Sequence, residues 1–140
     1  MPTTEGTRYS DYGLTLLRVG IGIIFFAHGY MKFFKMGIGG TAGFMGHLGI
    51  PAAPFVAWFS ASAEMVGGIA FILGILTLPF GIALVIDMAG AIYFAKRGGG
   101  LVGPKGFELE LSLLLASIAI ALGGPGAFSL REILGRRPRI

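Results

Sequence analysis

The chain contains no cysteine among its 140 residues. Disulfides, thiolate metal sites, iron–sulfur clusters and dithiol exchange are therefore excluded from this polypeptide, because each requires cysteine sulfur. If the protein takes part in redox chemistry, the electrons or sulfur atoms must belong to a cofactor, a substrate or a partner. The sequence predicts no cofactor that is intrinsic to the chain.

Charged residues are also scarce. They make up 13% of the chain, whereas 54% is hydrophobic and the mean hydropathy is +0.80. Soluble domains carry about 25% charged residues, so this chain could not cover a soluble surface, and its apolar content argues against intrinsic disorder. Glycine is abundant at 25 residues, as in membrane helices. The composition predicts a small integral membrane protein whose first partner is the lipid bilayer.

The net charge of +4 does not indicate nucleic-acid binding. The basic residues are scattered, apart from a cluster after the last apolar run at Arg131, Arg136, Arg137 and Arg139. Arginine and lysine that flank apolar runs are typical of membrane proteins. We therefore predict no nucleic-acid partner.

Four apolar runs divide the chain, at residues 14–34, 55–78, 80–95 and 107–123. A helix needs about 20 apolar residues to cross a bilayer, a length that the first two runs reach and the last two approach. No run alternates apolar and polar residues as a membrane barrel strand must. The pattern predicts an all-α membrane protein in which residues 1–140 form one domain, a bundle of four transmembrane helices.

The segments outside the runs carry weaker signals. In the glycine-rich stretch 35–54, Thr41 is a candidate cap for a short helix that continues to Leu48. The glycines at 37–43 suggest either a phosphate cradle, although the Lys-Ser/Thr ending of a P-loop is missing, or a flexible or half-inserted loop. After the fourth run, Ser129-x-x-Glu132 is a capping-box pattern. It predicts a short interfacial helix that ends near Gly135, with the basic tail beyond.

Every apolar run also contains ionisable residues, each of which costs about 2.5–3.5 kcal/mol in hydrocarbon. Helical geometry places Arg18, His28 and Lys32 within about 80° of one another. Glu64 and Asp87 are surrounded on their own faces by small residues, as expected where helices meet. Four groups lie roughly 5–14 Å from the same side of the membrane, namely His28, Glu64, Asp87 and Glu110. We predict His28, Glu64 and Asp87 as catalytic proton carriers, and a second set that binds substrate or balances charge: Arg18, Lys32, Glu108 and Glu110.

Several of these residues also have a structural interpretation. Arg18 and Lys32 can snorkel to an interface, and His28 can bond a backbone carbonyl. Glu108 and Glu110 cannot share a helix face, and we predict that Glu110 points inward while Glu108 lies at the interface. One histidine and three carboxylates could ligate a metal, but the Glu-x-x-His pair of di-metal bundles is absent. We therefore predict no metal site.

Several motifs resemble the DoxX family. Leu17-Arg18-Val19-Gly20 and Ala27-His28-Gly29-Tyr30-Met31-Lys32 resemble its first span, and Ala63-Glu64-Met65-Val66-Gly67-Gly68 resembles its second. Gly106-Phe107-Glu108 and the segment 123–130 resemble its fourth span and exit. The resemblance covers about residues 14–130, with one departure: Arg131 follows Leu130, where the family often has aspartate.

The resemblance implies a four-helix bundle in the bacterial inner membrane with cytoplasmic termini. The positive-inside rule adds little, because basic residues are balanced between the two sides, although Arg18 favours the same orientation. The resemblance also implies association with membrane oxidoreductases, including thiosulfate:quinone oxidoreductase subunits, and relatives in the wider superfamily handle quinones and disulfides.

Three functions follow as hypotheses. The first is a redox-associated subunit that binds a quinone or a small sulfur species and exchanges protons with it. The second is a non-catalytic accessory or assembly subunit of a larger membrane complex, whose buried charges only lock helix pairing. The third is a small transporter or proton pathway, which four short helices could form as a homo-oligomer.

Overall fold

A computed structural model of the protein describes residues 4–135. Those residues form six α-helices and one π-helical turn, with no strand among them, which confirms the all-helical class. The helices are α1 (Thr4–Tyr30), α2 (Gly37–His47), α3 (Ala53–Leu73), α4 (Thr77–Ala95), α5 (Glu108–Gly123) and α6 (Leu130–Gly135), and the π-helical segment Met31–Lys35 continues α1. The predicted basic tail at Arg136, Arg137 and Arg139 lies outside the described residues.

Three helical stretches in the described part of the chain are long and apolar enough to cross a membrane: Tyr9–Lys35, Ala53–Leu73 and Thr77–Ala95. The fourth predicted span corresponds to α5, which has 16 residues. At about 1.5 Å per residue, α5 is roughly 24 Å long and shorter than the ~30 Å hydrocarbon core. The chain is thus an all-helical membrane protein, and the count of four spans stays a prediction.

The sequence places the break between the second and third apolar runs at residue 79, but the structure places it earlier. Helix α3 ends at Leu73 because Gly74, with a φ of 71°, adopts the left-handed conformation that terminates helices. Helix α4 then begins at Thr77, so Pro79 lies inside its first turn, where proline is tolerated because the N–H groups have no helical partner. The break therefore falls at Gly74, before the proline.

Glycines bring α1 and α3 into backbone contact. A Cβ atom on Gly22 would lie 2.7 Å from the Gly68 carbonyl oxygen, and one on Gly68 would lie 2.6 Å from the Gly22 carbonyl oxygen. Further along, a Cβ on Gly29 would collide with the backbone of Met65. Small residues at such crossings let helix backbones approach closely in membranes. Because the two backbones are this close, side chains at the end of α1 can contact α3.

We expect Gly68→Ala to destabilise the folded protein by about 1–3 kcal/mol, because the added methyl group has no space between α1 and α3. The control is Gly20→Ala in the partner helix α1, where nothing lies within 4 Å of the added Cβ. That variant should be neutral or more stable by up to about 1 kcal/mol through helix propensity. Denaturation of both variants in detergent micelles measures the difference, and equal stabilities would contradict the close contact.

The glycine-rich segment forms a helix, not a loop. Residues 37–47 make up α2, so neither the phosphate cradle nor the flexible loop describes it. Thr41 lies within this helix and is not its cap, which corrects the prediction. Met45 of α2 packs on Ala53 and Ala57 at the start of α3. Helix α2 thereby covers one end of the bundle.

The C-terminal helix is present where the capping-box pattern predicts it. Helix α6 follows Ser129 directly, and the N–H of Ile133 donates to the Ser129 carbonyl at 3.0 Å. The side chain of Glu132, the other half of that pattern, lies outside the described part of the structure. The position of the helix is confirmed by these residues.

Candidate functional site

Lys32 and Glu64 form a buried ion pair between the end of α1 and the middle of α3. The Nζ atom of Lys32 lies 2.8 Å from Oε1 of Glu64 and donates a second hydrogen bond of 2.8 Å to Oγ of Ser60. The Glu64 residue is 2% exposed. Lys32 therefore does not snorkel to an interface, and its ammonium group is held inside the bundle by α3.

Asp87 of α4 completes a cluster of three charged side chains with Lys32 and Glu64. Its carboxyl group is close enough to the Glu64 carboxyl for the two acids to interact electrostatically. Oε2 of Glu64 and Oδ2 of Asp87 are both buried and accept no hydrogen bond. Two neighbouring acids repel each other when both are ionised, and a proton on either one removes that repulsion. The cluster therefore has one lysine for two acids, and it is suited to hold a proton that can be exchanged.

A cavity of about 380 Å³ opens onto this cluster. Four polar residues lie on its wall: Lys32, Thr41, Ser60 and Asp87. The rest of the wall is apolar and comes from α2, α3 and α4 and the segments next to them; it includes Met36, Phe44, Met45, Val56, Ile86 and Phe94. Ligand pockets in proteins have this character, a mainly apolar wall with a few convergent polar groups.

The backbone that carries Lys32 is irregular. Residues 31–35 form a π-helical turn in which the N–H of Met36 donates to the carbonyl of Met31 at 2.9 Å. Such turns are rare and are frequent at functional sites. The buried hydroxyl of Thr41 lies 3.1 Å from the Lys32 carbonyl oxygen and 2.9 Å from that of Gly37. Thr41 thus fastens α2 to the turn that presents the ammonium group.

We expect Thr41→Val to destabilise the protein by about 1–3 kcal/mol, because it leaves the carbonyl of Lys32 without its side-chain donor. Thr41→Ser keeps the hydroxyl and serves as the control. Thermal unfolding in micelles compares the two. If valine and serine are equally stable, the hydroxyl does not fasten α2 to the turn.

His28 is not joined to this cluster by any hydrogen bond or ion pair of the described residues. Its Nδ1 donates to the carbonyl of Ile24 in the same helix at 2.9 Å, which is the structural interpretation considered for it above. It is also absent from the wall of the cavity. A role for His28 as a proton carrier stays a prediction without geometric support.

Arg18 lies in the middle of α1, about 21 Å from Lys32 along the helix at 1.5 Å per residue. The residue is 1% exposed, so it does not snorkel. Its Nη1 donates to the carbonyls of Phe71 at 2.7 Å and Ile72 at 2.8 Å, and its Nη2 donates to those of Ala127 and Phe128. Arg18 therefore joins the end of α3 to the segment before α6, and the charge-balancing role predicted for it stays a prediction.

The two glutamates of α5 lie outside the cluster. Oε1 of Glu110 is 3.6 Å from Nζ of Lys96 at the end of α4, and its Oε2 is buried without a partner. Glu108 is exposed. These positions agree with an inward Glu110 and an interfacial Glu108. Within residues 4–135 no group of three potential metal ligands comes together.

A family profile and several individual relatives place the chain among known proteins. The sequence profile of the DoxX family matches residues 13–97. A Bacillus subtilis protein with the name "Putative oxidoreductase CatD" is 39% identical over 114 residues, which is 81% of each chain. An uncharacterized membrane protein of Mycobacterium tuberculosis is 36% identical over 132 residues, 86% of this chain and 80% of its own. The Escherichia coli inner membrane protein YphA is 30% identical over 135 residues, 88% of this chain and 95% of its own. No solved structure matches the chain.

Proposed function

The chain belongs to the DoxX family of membrane proteins, and on this premise we propose that it is an inner-membrane subunit of an oxidoreductase system. In this role it binds a quinone in the cavity above Lys32, Glu64 and Asp87 and exchanges protons with it. The name of CatD and the inner-membrane name of YphA support this assignment.

The observation that carries the proposal is the chemistry of the cavity wall. An apolar wall excludes water and suits an aromatic ring, while the ammonium of Lys32 and the carboxyl of Asp87 can each bond a ring oxygen. A small sulfur oxyanion would bury its charge against mostly apolar side chains, which is costly. The wall therefore favours the quinone over the sulfur species.

A bound quinone would supply the redox step, because its ring oxygens take up and release protons together with electrons. Asp87 lies on the cavity wall and would exchange the proton with the ligand. Glu64 lies behind Asp87 and interacts with it, so in this proposal it returns a proton to Asp87 after each transfer. Lys32 keeps the two acids from carrying two uncompensated charges. The electrons come from a partner subunit, since the chain has no cysteine and no redox motif.

The proposed architecture is a bundle with α5 as its fourth, short span. Helix α5 packs against α4 over much of its length, with Gly81 of α4 so close to Ala121 that a Cβ there would lie 2.7 Å from the alanine Cβ. Four spans return both termini to one side, which we assign to the cytoplasm. Other membrane subunits, or further copies of the chain, would contact the exposed apolar faces.

A substitution that fills the cavity tests the function. Gly90 lies on the cavity wall, and nothing stands within 4 Å of a Cβ at this position. Gly90→Leu should therefore fold normally and weaken binding of a tail-less naphthoquinone by at least about tenfold, a change of about 1.4 kcal/mol. Titration of the protein in lipid nanodiscs, corrected with empty nanodiscs, measures the affinity.

Gly20→Leu is the matched control, because Gly20 is also open but lies on the exposed face of α1, away from the cavity. It should bind as the wild type does. Equal binding by the wild type and Gly90→Leu would contradict the proposed site. An absence of binding to the wild type would favour the accessory-subunit hypothesis instead.

A further inference from the structure

A second concavity lies beside the cavity, along the outer side of α3 next to α4. It has a volume of about 460 Å³ and is more open than the cavity. Its wall includes Phe55, Trp58, Val66 and Phe80, and among the described residues Ser62 is the only hydroxyl-bearing or charged one on it. We call this concavity the lateral groove. It contains no charged side chain, so its surface matches the hydrocarbon of a bilayer.

The lateral groove adjoins the cavity. The ring of Phe59 borders both. On α4, Ala83 lines the groove and Asp87 lines the cavity, and residues four apart lie on the same side of a helix, one turn from each other. A molecule bound at Asp87 could therefore extend past Phe59 into the groove without crossing a polar surface.

The sizes of the two spaces suggest how they are divided. A cavity of roughly 150 Å³ is enough for benzene, so 380 Å³ accommodates a substituted ring but leaves little room for a long hydrocarbon chain. Such a chain would have to leave the cavity, and the groove is its apolar continuation. We propose that the lateral groove holds the apolar tail of the ligand, so that the natural ligand is a tailed quinone that enters sideways from the bilayer past Phe59.

This inference rests on the proposed function, because it specifies the ligand class of the same cavity. The inference selects a quinone that is dissolved in the membrane over a water-soluble quinone. The position of Phe59 also makes this ring a specificity-determining residue, since its side chain stands between the ring site and the tail site.

Filling the groove tests the inference. Ser62→Phe places a ring in the groove, whereas Ile69→Phe places the same ring two turns further along the same face of α3, outside the groove. With ligands compared at equal mole fraction in the nanodisc lipid, Ser62→Phe should weaken binding of a long-tailed naphthoquinone by about tenfold, or about 1.4 kcal/mol. Binding of the tail-less naphthoquinone should stay within about twofold, and Ile69→Phe should change neither affinity.

Trp58 gives a second readout, because it is the only tryptophan of the chain and lies on the groove wall. A naphthoquinone with a brominated tail should quench its fluorescence more strongly than the unbrominated long-tailed quinone does in the wild type, and this difference should disappear in Ser62→Phe. If Ser62→Phe binds the tailed ligand as the wild type does, the groove proposal is wrong while the ring site stands. If neither ligand binds the wild type, the ring site and the groove proposal both fail.

Discussion

Replacement of Lys32 by methionine is expected to destabilise the folded protein by about 3 kcal/mol, the lower end of the range for a broken buried ion pair. The lower end applies because the Lys32 side chain is 22% exposed while that of Glu64 is 3% exposed. The loss arises because the Glu64 carboxylate stays buried without its cation. Unfolding in micelles measures the effect, and Lys35→Met, on an exposed residue of the same π-helical segment, should change stability by less than about 0.5 kcal/mol.

A double-mutant cycle separates the pair from its single residues. Glu64→Gln alone should also destabilise the protein, because it removes the charge that compensates Lys32. The combination Lys32→Met with Glu64→Gln removes both charges, so it should be more stable than the sum of the single losses implies. Strict additivity would mean that the 2.8 Å contact contributes nothing to folding.

Replacement of Arg18 by methionine is expected to destabilise the protein by about 2–4 kcal/mol. Arg18 donates to the carbonyls of Phe71 and Ile72 at the end of α3, where the last carbonyls of a helix lack full helical partners. Among the described residues, the Phe71 carbonyl otherwise receives only the N–H of Gly74, at 3.2 Å, which Gly74 shares with Ala70. Each buried carbonyl that loses its donor costs about 1–3 kcal/mol. Because the same guanidinium reaches Ala127 and Phe128, the segment before α6 should also loosen, which hydrogen exchange at residues 127–134 would detect.

Arg18→Lys is the informative companion. A lysine keeps the charge but lacks the planar guanidinium that lets Arg18 donate to two chain segments at once. Arg18→Lys should therefore be more stable than Arg18→Met but less stable than the wild type. Leu17→Met, at the neighbouring residue, controls for the change in volume. Full stability of Arg18→Met would show that the carbonyls are satisfied by other donors, contrary to the hydrogen bonds described.

The sequence allowed the apolar spans and the small-residue face of Glu64 to be predicted, because both depend on helical periodicity. Glu64 is buried together with Ser60, Gly67 and Gly68, as that face predicted. The proximity of Asp87 to Glu64 also agrees with their similar predicted depth. Periodicity within single helices was sufficient for these features.

The cavity could not be predicted in the same way. It depends on α2, whose glycines obscure any periodic pattern, and on a π-helical turn at 31–35 that no local residue signals. Helical geometry placed Arg18 on the same face as Lys32, but a common face says nothing about distance along the axis, and the two residues belong to opposite ends of the bundle. His28 satisfied its hydrogen bond within its own helix, an outcome that spacing alone could not distinguish from a site role.

The most direct test of the account is to map where a quinone binds in the membrane-embedded protein. A naphthoquinone that carries a photoreactive group on its ring would be activated in nanodiscs, and the labelled peptides identified by mass spectrometry. The account predicts labelling of cavity residues such as Met45, Ile86 and Phe94, suppressed by excess unlabelled quinone and lost in Gly90→Leu. Labelling confined to outward-facing residues such as Leu16 and Leu122, and insensitive to competitor, would contradict it.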